Sequence, residues 1–385
     1  MDKSLIGVMY VGRFGTVNAR WPEHGLSMTF EHGVPRFLEP DIANLFTPNN
    51  DWVVGVHQGV HNFDEPGERH MLVRRRVALG DVLSTHGALQ GVMAAYPGRY
   101  AITYQVSDQY VEVLRATGSY RDVLSERCKV VDVEGVDGFV NLDGLLERDH
   151  NVGEAKINRV VRAWKHFFVA KPELLDMSVL KPVWDLTIPE TDRAWAYREL
   201  DTRGVLEHAA KGKPVVAVAA RAVQKPRNMK EGAVPKFTEM LVREHDAKVI
   251  LIEHDPAYIW RGPGIEGFPK STVLQAMALM QHCDVLCSMD SGAMWMGHCI
   301  PIPTVVWFGP TPPETKINMH PYYPEGIRGL RMWEWVGCPE SCYEAASWCE
   351  YAYKCVKDPP EATFIEASMR AVMELVEWKR GQKAQ

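Results

Sequence analysis

Residues 284–314 read DVLCSMDSGAMWMGHCIPIPTVVWFGPTPPE, and this stretch decides the fold. Asp284–Ser288 is a short apolar run, Asp290-Ser291-Gly292 is a turn, Gly292–His298 is predicted as a helix, and Thr304–Phe308 is a second apolar run. Short apolar runs bounded by turn residues are the pattern of strands buried on both faces, and a helix between two of them implies a parallel pair with a crossover. The same alternation extends upstream. Pro214–Ala219 and Lys248–Ile252 are predicted strands, and Pro235–His245 and Ser271–His282 are predicted helices.

Further upstream the texture repeats. Met71–Val77 reads as a strand, Asp81–Tyr96 as a helix buried on one side, Ala101–Val106 as a strand and Asp108–Thr117 as a helix. Lys129–Val133 and Phe139–Leu142 read as short strands and Glu154–Phe168 as a helix, while 174–189 has no clear period. Repeated strands and amphipathic helices imply doubly wound α/β sheets. The chain therefore holds two Rossmann-like halves, with a seam near 190–212. Before them, 1–68 is rich in Gly, Pro and aromatics and reads as a small β-rich module with a short helix at Glu39–Phe46.

Bulk properties are consistent with this division. A chain of 385 residues exceeds the size at which one core usually keeps growing. A net charge of -6 supplies no global field for nucleic acid, and 46% hydrophobic with 24% charged residues is ordinary globular composition. The start, MDKSLIGVMYVGRFG, lacks the pattern of a secretory signal, and no stretch has the length of a membrane span, so a cytoplasmic location is expected.

In open α/β sheets ligands bind beyond the carboxyl ends of the strands, which directs attention to three turns. The first is Ala78-Leu79-Gly80-Asp81-Val82-Leu83. Gly80 permits close approach of a ligand to the backbone, and Asp81 reads either as a helix cap or as a carboxylate able to take a proton from an attacking hydroxyl. The second is Asp290-Ser291-Gly292-Ala293-Met294, where small residues at a helix start offer N–H groups to an anion; an ordinary turn has the same pattern. The third is Arg221 to Glu231, with Arg221, Lys225, Arg227 and Lys230 after a buried strand, either a diphosphate site or a solvated basic loop.

Taken in this order and spacing, these turns resemble glycosyltransferase family 9, the heptosyltransferase-like enzymes. RRRVALGDVLSTHGALQGVMAAYPGRYAITYQVSDQYVEVLRATGSYRDVL resembles the family's opening, and DVLCSMDSGAMWMGHCIPIPTVVWFGPTPPE its second signature; the resemblance spans about residues 71–375. It implies the GT-B architecture: an acceptor-side domain over 71–200 and a donor-binding domain over 213–335 facing across a cleft, with a Cys-rich helical segment over 336–385 packing back across them. It also implies an inverting, metal-independent transfer from a nucleotide-diphosphate sugar to a hydroxyl acceptor, most simply a saccharide, with no separate cofactor. Asp81 matches the catalytic base. Lys230, with Lys225 and Arg221 in the same basic loop, matches the phosphate-binding lysine segment, and Asp290, Ser291, Gly292, Ala293 and Met294 match the donor loop. Trp295 stands where many members have His, which implies a different donor sugar.

Two other readings share this sequence. One keeps the donor site and takes hydroxymethylated bases of DNA as acceptor, as a bacteriophage enzyme would, with Arg74, Arg75 and Arg76 as a phosphate rim; these arginines read equally as an exposed strand start. The other is a non-catalytic sugar-nucleotide-binding or assembly protein. Cys338, Cys342, Cys349 and Cys355 lack paired C-x-x-C spacing and read as thiols or a disulfide ahead of structural zinc, so no metal site is assigned. His298 and Trp333 and Trp335 read as packing residues.

Overall fold

In the computed structural model of the chain the described residues are 6–10, 16–21, 26–31, 35–38, 52–56, 67–76, 78–128, 133, 136–143, 158–168, 175–222, 232–338 and 354–383. They divide into two compact units, each assembled from separated stretches of chain. Met1–Ala78, Ala88–His150 and Val160–Val183 form the first; Leu79–Gly87, Asn151–Arg159 and Trp184–Gln385 form the second.

The first unit is built on a four-stranded parallel sheet in the order Asp122–Ser125, Tyr100–Val106, Arg69–Arg74, Gly138–Asn141. Leu72, Val73, Ile102 and Tyr104 are fully buried, as expected of parallel strands covered on both faces. Its amino-terminal stretches are antiparallel: Ile6–Tyr10 pairs with both Pro35–Leu38 and Trp52–Val56, and Thr16–Trp21 pairs with Leu26–Glu31. The predicted helix at Glu39–Phe46 lies outside the described residues.

The arginine run corrects an expectation. Arg74 and Arg75 are buried at the end of their strand rather than exposed at its start. The Arg74 Nε donates to Gln105 Oε1 at 2.6 Å and the Arg75 guanidinium to the Leu142 carbonyl at 2.8 Å, so the sheet's own polar groups take them up. Arg76 alone is half-exposed, and it pairs with Asp143 at 2.5 Å. A phosphate rim made of all three does not exist.

The second unit holds a six-stranded parallel sheet. In space the strands run Ile265–Gly267, Lys248–Leu251, Val215–Ala219, Val285–Met289, Thr304–Phe308, Ile327–Arg331. Counted along the chain this is the order three, two, one, four, five, six, the doubly wound arrangement of dinucleotide-binding folds. The central strands bury every side chain, as their apolar runs require. Ile265–Gly267 and Ile327–Arg331 add two strands that were not expected. So do the helices Glu190–Thr202 and Val205–Ala210, which occupy the predicted seam.

The carboxyl-terminal helix Glu361–Lys383 packs on this sheet. The Trp307 indole donates to Ser368 Oγ at 3.0 Å, and Lys379 Nζ donates to the Cys283 carbonyl at 2.7 Å. Trp333 is buried and Trp335 lies edge-on to Phe364, so both serve packing. Among the described residues no helix is long and apolar enough to cross a membrane. Among the same residues no group of three or more His, Cys, Asp or Glu side chains is placed to hold a metal. Cys355 is buried and Cys338 half-buried; Cys342 and Cys349 lie outside the described residues.

Candidate active site

The strand order of the second unit reverses between Val215–Ala219 and Val285–Met289, which pair in parallel register. In such sheets a crevice opens beyond the carboxyl ends at this switch point. Two of the three sequence-predicted turns start there. Beyond Ala219 comes Arg221; beyond Met289 come Asp290, Ser291 and the helix Gly292–Cys299.

The third turn reaches the same place from far upstream. Helix Leu79–Ala95 begins in the second unit, and its start packs against the start of helix Gly292–Cys299. A Cβ added at Gly80 would lie 2.8 Å from Trp295 Cδ1 and 3.4 Å from the Gly292 Cα; one at Gly292 would lie 3.2 Å from Leu79 Cβ and 3.4 Å from the Gly80 nitrogen. A side chain at Gly80 would force Trp295 to move, and one at Gly292 would press on Leu79 and the Gly80 backbone.

Neither helix start is capped by a side chain. Ser291 occupies the N-cap of the second helix without bonding its first turn, its Oγ lying 3.3 Å from Ser288 Oγ. Ala78 occupies the N-cap of the first, has no capping group, and sits at φ 52, a conformation that costs an alanine roughly 1–3 kcal/mol and is retained where surrounding structure enforces it. Each helix end carries about half a positive charge from its unpaired N–H groups. Two adjacent uncapped starts form an anion-attracting corner.

Each turn also carries a carboxylate with a buried cation. Asp81, in the first turn of its helix and nearly buried, is ion-paired through Oδ1 with the Arg159 guanidinium, whose side chain is 9% exposed. Asp290 is buried, and the Lys316 Nζ stands 3.9 Å from its Oδ1, with side-chain exposures of 4% and 2%. The cations come from neighbouring segments that bond each other: Asn158, next to Arg159, donates from Nδ2 to Asn318 Oδ1 at 2.5 Å, two residues beyond Lys316.

Aromatic side chains fix the geometry from beneath. Trp295, packed against Gly80, has its ring 4.8 Å from that of His298 and 5.8 Å from that of Trp184; His298 in turn lies 4.6 Å from His320. The Trp184 indole donates to the Met319 carbonyl at 2.9 Å, tying this cluster to the Lys316 segment. Burial pushes His298 down to about 4 and His320 well below its ordinary value, so both rings are neutral at pH 7. His298 is thus the buried packing residue expected, its Nδ1 lying 2.9 Å from the Met294 carbonyl.

Of the predicted site residues, Asp81, Asp290, Ser291, Gly292 and Ala293 gather at this corner, and the Met294 side chain is buried behind it. Arg221 stands at the switch point with its guanidinium 3.1 Å above the Tyr258 ring, so that aromatic face takes part of its charge. Lys225 and Lys230 lie outside the described residues. Sequence reasoning missed Arg159 and Lys316. Each is flanked by one polar and one apolar residue, Asn158 and Val160 or Thr315 and Ile317, and neither stretch carries a spacing that marks a paired cation.

No protein-family model matches the sequence, and no curated protein matches it. Solved structures do. A family 9 glycosyl transferase from Veillonella parvula is similar with a TM-score of 0.53 at 16% identity, over 80% of this chain and 99% of that one. The ADP-heptose LPS heptosyltransferase II of E. coli is similar with a TM-score of 0.55 at 12% identity, over 80% and 99%. TibC of enterotoxigenic E. coli, an iron-containing dodecameric glycosyltransferase, is similar with a TM-score of 0.54 at 14% identity, over 83% and 80%. The chain has the fold of the family 9 glycosyltransferases. This is the α/β class, of GT-B type, that the sequence predicts. At these identities the family 9 likeness is one of fold, and the chemistry rests on the residues of the corner itself.

Proposed function

We propose that the protein is an inverting, metal-independent glycosyltransferase of family 9 type. It moves a sugar from a nucleoside-diphosphate donor to a hydroxyl acceptor, most simply a saccharide. The observation that carries the reading is the meeting of two uncapped helix starts at Gly80 and Gly292, flanked by the carboxylates Asp81 and Asp290. One feature attracts a diphosphate; the other supplies a base and an acceptor of sugar hydroxyl bonds. The names of the structurally similar proteins, which include an ADP-heptose-dependent transferase, support the same class of donor.

Each residue then has a task. The N–H groups of Gly292 and Ala293 take diphosphate oxygens, aided by the basic loop containing Arg221, Lys225 and Lys230. Asp290 accepts hydrogen bonds from the donor sugar. Asp81 takes the proton of the acceptor hydroxyl as that oxygen attacks the anomeric carbon from the face opposite the diphosphate. The bond from the anomeric carbon to the diphosphate oxygen breaks, and its electron pair leaves with the nucleoside diphosphate. Negative charge grows on the leaving group as the bond breaks, so donors aimed at it stabilise the transition state more than the ground state. Arg159 holds the Asp81 carboxylate in one orientation throughout.

The test is a thermal-shift panel of nucleoside diphosphates and sugar nucleotides, because a ligand that binds only the folded state raises its melting point with the logarithm of ligand excess. Selective stabilisation by one base and sugar identifies the donor, which then serves in a turnover assay reading release of nucleoside diphosphate. A panel in which none of these ligands stabilises the protein overturns the proposal.

A further inference from the structure

Tyr258 is a large aromatic residue left 40% exposed, yet its loop holds it firmly in place. The loop follows the strand Lys248–Leu251 and contains the helical turn Pro256–Tyr258. Asp255 caps that turn: its Oδ1 accepts from the Ala257 N–H at 2.9 Å, and its carbonyl accepts from the Tyr258 N–H at 3.1 Å. Beyond the ring, the Trp260 indole donates to Thr238 Oγ1 at 3.0 Å, which anchors the loop on the helix Ala233–His245. The ring is thus fixed from both sides and turned toward the neighbouring strand end, where the Arg221 guanidinium lies 3.1 Å from its centroid.

This mode of holding an arginine has a chemical consequence. All the N–H donors of a guanidinium lie in its plane, so a ring stacked on its face occupies none of them, whereas a carboxylate would take part of the set. Among the described residues no acceptor takes an Arg221 N–H. The register of the sheet gives the place of this unused edge. Ala219 pairs with Ser288, so two residues further on Arg221 and Asp290 leave their adjacent strands at the same level, and the helix of the anion corner starts just beyond Asp290.

We infer that Tyr258 is a positioning residue of the donor site, whose ring holds Arg221 by its face so that its N–H edge grips two oxygens of the diphosphate. A guanidinium fork matches phosphate oxygens in pairs, and fixing it before the ligand arrives removes part of the ordering cost of binding. The inference rests on the donor-site reading above and adds to it a residue that lies outside the three turns.

Calorimetric titration of the full chain with inorganic pyrophosphate tests it, using R221M, Y258F, Y258L and the double variant R221M/Y258L. R221M is expected to weaken pyrophosphate about tenfold or more, the usual worth of hydrogen bonds to a charged group. Y258L, which removes the ring, is expected to weaken it about threefold or more, and Y258F, which keeps the ring, to bind within about twofold of the parent. Because Tyr258 acts through Arg221, the double variant should bind no more weakly than R221M alone. A ring that served only the loop's own packing, or only a nucleobase, would leave pyrophosphate binding in Y258L unchanged.

Y258L or R221M that binds pyrophosphate like the parent overturns the inference, as does a Y258L effect that persists in full when Arg221 is already replaced. If Y258L does not fold, Y258Q, which also lacks a ring, decides by the same criteria. A parent protein that ignores pyrophosphate overturns the donor-site reading itself, and this inference with it.

Discussion

Gly80 and Gly292 approach so closely that a methyl group on either would lie 3.4 Å from a backbone atom of the other. Residues more than two hundred positions apart thereby bring two helix starts together within one compact unit. The contact sets two helix starts without side-chain caps beside each other, and this is the source of the anion-attracting corner.

Gly80→Ala places a methyl 2.8 Å from Trp295 Cδ1, which must shift. Trp295 is buried against His298, so the shift is resisted, and overpacking of this kind costs roughly 1–3 kcal/mol. Thermal melting should show the loss, and Gly80→Val should be worse. Adding Trp295→Leu to Gly80→Ala should recover part of the stability by opening space; a double variant less stable than the sum of the single losses would contradict the contact.

Asp81→Asn removes the base and keeps the shape. Turnover should fall by about 10²–10⁴, the usual worth of a positioned general base, with donor binding changed little. Arg159→Met should reduce turnover and stability together, because it takes a paired cation away from the Asp81 carboxylate in a site that is nearly closed to water. Steady-state kinetics and melting curves separate the two variants. Unchanged turnover in Asp81→Asn removes it as the base.

The parts of this corner that were legible in the sequence are local. Pro214–Ala219, Lys248–Ile252 and Thr304–Phe308 are apolar runs because central parallel strands bury both faces, and each appears within a residue or two of its expected bounds. The edge strand Ile327–Arg331 was invisible for the converse reason: three of its five residues are half-buried and one is exposed, so IRGLR carries no apolar run. Helix Glu190–Thr202 opens ETDR after Pro189 and has few buried positions, so the stretch reads as the seam between the two halves. Asp81 and Asp290 could be picked out by turn chemistry, whereas their cations could not. Arg159 is 78 residues from Asp81 in the chain, and no spacing rule joins residues paired by tertiary packing.

Three buried histidines set an acid limit on stability. Burial pushes His86 and His298 from 6.5 to about 4, and His320 well below 6.5. In the unfolded chain these rings take up protons below pH 6.5, while the native state resists until about pH 4. The unfolded state therefore binds more protons in this window, and stability rises with pH across it. Melting temperature should be level from pH 8 to 6.5 and fall steadily from 6.5 to 4. A melting temperature that climbs as the pH drops through this window contradicts neutral burial.

The account assigns the diphosphate charge to helix N–H groups and basic side chains. Turnover should accordingly survive prior treatment with EDTA and show no gain on adding Mg²⁺ or Mn²⁺. Loss of turnover on chelation, restored by a divalent cation, would contradict metal independence.

The most direct test is a crystal structure of the full chain with the nucleoside diphosphate selected by the thermal-shift panel. The account predicts phosphate oxygens within hydrogen-bonding distance, about 2.7–3.2 Å, of the backbone nitrogens of Gly292 and Ala293. A diphosphate bound elsewhere, with that helix start bare, contradicts it.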